Sequence, residues 1–298
     1  MRLSRDRLVS IALISPSIIA IAVFVYGFIA WTVRVSLSKW DGITPNFDWA
    51  GLANYTRLFA NPRFQTDLRN TAVFTVLFLG ACLVIGLLLA VLLDQRLRGE
   101  NFFRSIYLFP MAISFIVTGV VWRWLLNPAT GNRTTGVNLL FDYAGLDFLQ
   151  SGWYVDPKIG IMAIVIPAVW QMSGFTMALY LGGLRSIPDD IREAARVDGA
   201  SEWQLYRHVI LPLLQPVTLS AVIILGHISL KIFDLIVAMT PDGGPAFSSD
   251  VPALFMFKTT FAGNHFSQGA SIAIILLLMV AVLVVPYLVY SVRAEAEL

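Results

Sequence analysis

The sequence predicts an all-α fold, a polytopic membrane helix bundle of six transmembrane helices, and three observations carry that prediction. The chain is 57% hydrophobic and only 13% charged, against roughly 45–50% apolar and about 25% charged residues in soluble domains. Its mean hydropathy is +0.73. Its apolar residues gather into six long intervals between charged ones, each close to or above the roughly 20 residues that a helix needs to cross a bilayer.

The first span covers about residues 9–34, behind a cluster of Arg2, Arg5 and Arg7. Such a cluster also heads a signal peptide, but the apolar stretch far exceeds the roughly 7–15 residues of that class and no small-residue cleavage site follows it, so a retained helix is expected. The second span runs about 70–94, the third 105–126 and the fourth 159–184. The fifth, about 212–240, is interrupted in its second half by His227, Lys231 and Asp234; the sixth covers about 266–292. The whole chain, 1–298, is then expected to form a single transmembrane domain.

Six spans place both termini on one side, and the Lys/Arg bias identifies that side as the cytoplasm. The brief segments at the two ends, at 94–104 and at 185–211 hold Arg2, Arg5, Arg7, Arg96, Arg98, Arg104, Arg185, Arg192, Arg196, Arg207 and Arg293. The segments 34–69, 123–158 and 241–265 carry fewer basic residues for their length, and Gly, Pro, Asn and Asp mark their turns. A net charge of +2, spread without runs of one sign, indicates no nucleic-acid surface. The single Cys82 lies inside an apolar run, which excludes an intrachain disulfide and a Cys-based zinc site.

The cytoplasmic segment 187–212 carries the local detail. Pro188 suits a first helical turn, and Asp189 with Asp190 favours the positive end of a helix. Glu193 to Val197 continue that helix, and Gly199 supplies the left-handed residue that ends it. Ser201-Glu-Trp-Gln204 then has the capping-box spacing and opens a second short helix with Trp203, Leu205 and Val209 on its apolar side. Pro212 and Pro216 turn the chain into the fifth span. Taken alone, such a segment would be an amphipathic linker at the membrane interface.

Its spacing is more specific than that. Glu193-Ala194-Ala195, three residues, Gly199, nine residues, Val209, one residue and Leu211-Pro212 resemble the EAA loop of permease subunits in ATP-binding-cassette importers. Val209 stands where that pattern has Ile, a difference of one methylene that helix packing absorbs. Gly51-Leu-Ala-Asn-Tyr55, Phe103-Arg-Ser-Ile-Tyr-Leu-Phe-Pro110, Gly182-Gly-Leu-Arg-Ser-Ile-Pro188, Phe233-Asp234 and Gly243-Gly-Pro245 extend the likeness to the carbohydrate-uptake branch, of maltose and glucose/mannose type. There the usual Thr-Gly-Gly-Gly-Pro is altered, because Pro241-Asp242 follow Thr240.

The resemblance implies the type I importer permease fold in the bacterial inner membrane. It also implies a second related permease, two separate ATPase subunits that use ATP and Mg, and an extracytoplasmic sugar-binding protein. The chain itself lacks a Gly-x-x-x-x-Gly-Lys-Ser/Thr loop, so it has no backbone cradle for a nucleotide and is expected to be non-enzymatic with no cofactor of its own. In such permeases the EAA loop docks in a cleft of the ATPase. Asp190, Glu193, Ala194, Ala195, Asp198, Gly199, Leu211 and Pro212 are the candidate coupling residues.

Ionisable groups at membrane depth are expensive and usually face a cavity. His227 and Lys231 are four apart and Lys231 and Asp234 three apart, so one continuous helix would carry all three on one face. That face is either a structural ion pair, Lys231 with Asp234, or part of a substrate path. The resemblance to maltose-type permeases directs the path reading to Ser229, Lys231, Ile232 and Asp234, and to Gln171, Met172 and Phe175 beside Trp170. Rings and amides of that kind suit a sugar, whose C–H patches stack while its hydroxyls seek donors and acceptors. A neutral mono- or disaccharide of glucose/mannose type is expected first; glycerol-3-phosphate or another sugar phosphate would call for more cations than Lys231. An ion-driven secondary transporter and a membrane enzyme are the other readings, the first disfavoured by the EAA loop and the second by the lack of a convergent catalytic cluster.

Overall fold

The computed structural model describes residues 5–95, 98–129 and 131–296, so Arg2 and Arg96 lie outside the described residues. Among them the secondary structure is helical, with a lone antiparallel bridge between Ser38 and Trp49. In chain order the α-helices are α1 (Arg5–Ile21), α2 (Phe28–Ser36), α3 (Ala53–Phe59), α4 (Pro62–Asp94), α5 (Glu100–Leu108), α6 (Phe115–Leu125), α7 (Gly136–Tyr143) and α8 (Gly160–Ser186). They continue with α9 (Asp189–Val197), α10 (Glu202–Leu205), α11 (Leu211–Leu213), α12 (Gln215–Leu230), α13 (Asp234–Met239), α14 (Pro252–Phe257) and α15 (Phe266–Ala296).

Four unbroken stretches are long and apolar enough to cross a bilayer: Leu13–Ser36, Pro62–Asp94, Gly160–Ser186 and Phe266–Val289. Two bent pairs, Glu100–Ala112 with Phe115–Leu125 and Glu202–Leu213 with Gln215–Leu230, complete six when each is counted as one span. The predicted third span is therefore bent, by 98°. A 3₁₀ turn at Phe109–Ala112 contains Pro110, Ile113 is extended, and Ser114 restarts the helix by accepting the Val117 N–H on its hydroxyl. The second bend, of 62°, falls at Leu214, where segment 187–212 turns into the predicted fifth span between Pro212 and Pro216, neither of which has an N–H to continue the ladder.

A further break corrects the expectation of one polar face on span five. Helix α12 ends at Leu230, Lys231 is its cap at φ −115°, and α13 begins only at Asp234. The three-residue spacing that would place Asp234 on the face of Lys231 requires continuous helix, so Asp234 is cut off from the stripe of His227 and Lys231 at the end of α12.

The chain divides into two compact units, one made of Met1–Pro62 with Phe255–Leu278 and the other of Arg63–Leu254 with Met279–Leu298. In the first, Asn54 donates from its amide to the Ser36 and Ser38 carbonyls, and Ser267 N–H bonds the Trp40 carbonyl. Trp31, Phe47, Trp40 and Phe266 make successive ring contacts there.

The second unit holds the remaining spans, packed through small residues as membrane helices generally are. A Cβ added at Gly86 of α4 would lie 2.6 Å from Thr176 of α8, and one added at Gly174 of α8 would overlap the Tyr107 carbonyl of α5. Cys82 is a fully buried core residue. Where the spans meet the segment 187–212, Ala90, Leu93, Met177, Tyr180, Leu184, Ile187, Leu205, Ile210 and Leu214 form one buried cluster, which seats that segment on α4 and α8.

Candidate functional site

Helix α9 starts one residue later than its proline suggested. Pro188 is the N-cap, with φ −56° and ψ 140°, and Asp189 and Asp190 occupy the first turn. The C-terminus is a Schellman turn: the Ala200 N–H bonds the Ala195 carbonyl and the Gly199 N–H the Arg196 carbonyl, both at 3.0 Å, with Gly199 at φ +82°. The capping box follows as predicted. Ser201 N–H donates to Gln204 Oε1 at 2.9 Å, and Gln204 N–H to Ser201 Oγ at 3.4 Å.

Between these two caps α9 buries none of its own residues. Asp190, Glu193, Ala194, Asp198, Gly199, Leu211 and Pro212 are exposed, and Ala195 is half-buried. The apolar side of the second helix is divided: Leu205 is buried and Val209 half-buried, but Trp203 is 70% exposed, as is Val197 at 86% at the end of α9. Two apolar side chains thus stand exposed beside the candidate coupling residues. Arg196 Nε lies 3.0 Å from Glu202 Oε1, and that hydrogen bond raises the Arg196 guanidinium above its usual value.

A cleft of about 860 Å³ opens beside α9 and is lined by Asp94, Glu100, Arg185, Arg192 and Arg196 among others. Arg192 Nη1 donates to Asp94 Oδ2 at 2.8 Å and its Nη2 to the Leu184 carbonyl at 2.9 Å. Arg185 Nη2 meets Glu100 Oε1 at 2.7 Å, and its Nε stands 4.0 Å from Asp94 Oδ1.

The candidate path residues do not converge equally. Gln171 is 2% exposed and its Nε2 donates to the Ile113 carbonyl at 2.6 Å, which satisfies the backbone left open by the bend in span three. Met172 is buried, Phe175 half-buried, and Trp170 is 40% exposed with its ring 5.8 Å from that of Trp122. Ser229 is buried, accepts from Thr75 Oγ1 at 3.0 Å and donates to the Gly226 carbonyl. His227 is half-buried, Ile232 buried, and Lys231 and Asp234 are exposed with no ion pair between them among the described residues.

The altered loop after span five has a clear local explanation. Pro241 and Asp242 form the middle of a turn closed by Gly243 N–H on the Thr240 carbonyl at 2.9 Å, and Gly243 and Gly244 follow in the left-handed region. Beyond them Asp250 pairs with Arg63, at 2.6 Å from Nη2, and Asn70 Nδ2 donates to the Phe247 and Asp250 carbonyls. Asp67, fully buried, lies within electrostatic reach of that pair. No local spacing announces partners 187 residues apart, and sequence reasoning missed them, as it missed Asp94 and Glu100.

Residues 82–294 match the family model described as binding-protein-dependent transport system inner membrane component. The chain is 46% identical to a probable ABC transporter permease protein of Pyrococcus horikoshii over 295 residues, 99% of each chain. It is 35% identical to the xylose/arabinose import permease XacH of Haloferax volcanii, over 92% of this chain and 84% of that one. A crystal structure of a bacterial ABC transporter involved in importing the acidic polysaccharide alginate contains a chain of the same fold, with a TM-score of 0.77 at 22% identity over 94% of each. The bent spans, the capped loop and these likenesses agree: the chain is a multi-pass membrane protein that belongs to the family of inner-membrane components of binding-protein-dependent transport systems, the ABC transporter permeases, and is not an enzyme.

Proposed function

We propose that the chain is one of two related permease subunits of a sugar importer, with residues 1–298 acting as a single transmembrane permease domain. Two ATPase subunits bind and hydrolyse ATP with Mg, a binding protein delivers the sugar outside, and lipid and the second permease cover the apolar helix faces. Both termini and segment 187–212 lie in the cytoplasm, a placement supported by the Lys/Arg bias of the short segments.

The observation that carries this reading is α9. A short helix capped at both ends, with no buried residue and with Val197 and Trp203 exposed beside it, is built to be covered by another protein. Closure of the ATPases moves this lever, and the spans follow by alternating access.

The path is the non-helical stretch at Lys231–Phe233. Irregular backbone at membrane depth is tolerated where it lines a wet cavity or is buried in protein, and the exposure of Lys231 and Asp234 favours the cavity. Gln171, Met172 and Ser229, all buried, would support that path from behind, whereas the exposed Trp170 and the half-buried Phe175 and His227 are its candidate wall. A neutral mono- or disaccharide suits these groups. The pentoses named for XacH support the sugar class, and the motif likeness to glucose/mannose permeases places those hexoses first within it.

The test is uptake by proteoliposomes containing the assembled importer, with labelled glucose, mannose, xylose, maltose and glycerol-3-phosphate as probes. ATP-dependent accumulation of a neutral sugar is expected. Accumulation driven by an ion gradient without the ATPases, or of glycerol-3-phosphate alone, overturns it.

A further inference from the structure

Asp94 is the last residue of α4 and carries no role in the reading above, yet its carboxylate joins several elements. Its side chain is 9% exposed and faces Arg192 of α9, 18% exposed, at 2.8 Å, with Arg185 of α8 at 4.0 Å on its other oxygen. The second terminal nitrogen of Arg192 is bound to the Leu184 carbonyl of α8, and Arg185 continues to Glu100, the first residue of α5. Glu100, Arg185, Asp94 and Arg192 therefore form a continuous chain from the ends of three spans to the exposed helix.

We propose that Asp94 and Arg192 are positioning residues for energy coupling, the clamp that makes α9 move with α4 and α8 instead of swinging freely between its caps. The assignment rests on the reading of α9 as the docking element. The physical need is specific. Helix α9 buries no residue of its own fully and touches the buried cluster beneath it through Ala195, so apolar packing supplies only a small part of its hold, and the turns at Pro188 and Gly199 bound it at both ends. Transmission requires a connection that survives load, and the planar fork of Arg reaches a carboxylate and a carbonyl at once, which the point charge of Lys does not. Partial burial shields the pair from water and salt, unlike the open Arg196–Glu202 pair, whose side chains are 52% and 65% exposed.

The experiment uses the assembled importer in proteoliposomes, with ATP hydrolysis and uptake of labelled glucose and xylose measured together, and amide exchange over residues 189–197 measured on the same complex. Asp94→Asn and Arg192→Gln are each expected to lower the sugar moved per ATP by about tenfold, the size of one charge-assisted contact, while hydrolysis continues. The double variant should be no worse than either single one, because the two act as a unit. Asp94→Glu should recover the ratio, and exchange over 189–197 should quicken in Asp94→Asn.

An unchanged ratio in Asp94→Asn, or losses that multiply in the double variant, overturns the proposal. Should Asp94→Asn fail to assemble, Arg192→Lys decides, with an intermediate ratio expected and a wild-type ratio overturning it. A wild-type importer that moves neither sugar defeats the functional reading instead, and the exchange measurement still judges the clamp: unchanged exchange over 189–197 in Asp94→Asn overturns it.

Discussion

Gly199 offers a clean perturbation of the coupling segment, because an added methyl group there touches nothing. No heavy atom lies within 4 Å of a Cβ built on it, so a substitution is felt only through the backbone, which sits at φ +82°. An L-residue in the left-handed region costs about 1–2 kcal/mol, whereas Asn tolerates it better. Gly199→Ala should therefore open the Schellman turn about 5–30 times more often, by the ordinary conversion of free energy to population. Gly199→Asn should fall between the two. The assay is amide exchange at Gly199 and Ala200, whose N–H groups close the turn, read alongside sugar moved per ATP hydrolysed. Both measures should follow the order Gly, Asn, Ala. Equal protection in Gly199→Ala, or Asn worse than Ala, would refute the argument that conformation alone makes this position a glycine.

Trp203→Ala should weaken ATPase association by about 2 kcal/mol, roughly thirtyfold, if the exposed ring is an anchor of the docking surface; titration of purified ATPase onto the permease pair measures it, and unchanged affinity removes Trp203 from that surface. Gln171→Leu leaves the Ile113 carbonyl without its donor and should cost about 1–3 kcal/mol of stability, seen as a lower melting temperature in detergent. Altered sugar selectivity at an unchanged melting temperature would instead move Gln171 into the path. With Cys82 buried, Lys231→Cys and Asp234→Cys should react with a charged thiol reagent in the assembled importer, whereas Val76→Cys, on an exposed apolar face of α4, should not. Inertness at both 231 and 234 would count against a wet path.

The spans were legible because bilayer thickness is written directly into the spacing of charges, and the two caps of α9 because capping is a matter of four or five neighbouring residues. Gly199, Ser201 and Gln204 each act where their own chemistry predicts, and Pro188 acts one position earlier, as the N-cap rather than in the first turn. What the sequence hid was long-range or context-dependent. The break at Lys231–Phe233 contains no Pro or Gly, and residues 228–240 read as unbroken apolar helix with two charges. Tertiary contacts that no local pattern announces flank it: Ser229 is bonded across to Thr75, and α13 packs on α6 so closely that Gly119 would clash with Ala238 if it bore a Cβ. Trp203 shares the apolar side with Leu205 in the sequence yet is exposed, because helical periodicity cannot tell a face turned to the core from one that is not.

The breaks and the ties together suggest how load is divided within the second unit. Helix α4 is 33 residues without a break, about 50 Å at the rise of an α-helix, and it is tied at both ends. Asp94 binds α9 at one end, while Asn70, with Arg63 at the first turn, holds the loop that follows span five at the other. The spans built from α5–α6 and from α12–α13 are broken. A rod cannot shorten to absorb a displacement, whereas a chain with a 98° bend or a three-residue gap changes its angles at little cost. On the proposed coupling, movement delivered to Asp94 would be carried along α4 to the Asp250 loop, and the two broken spans, of which α12–α13 holds Lys231 and Asp234, would be the elements that rearrange around it.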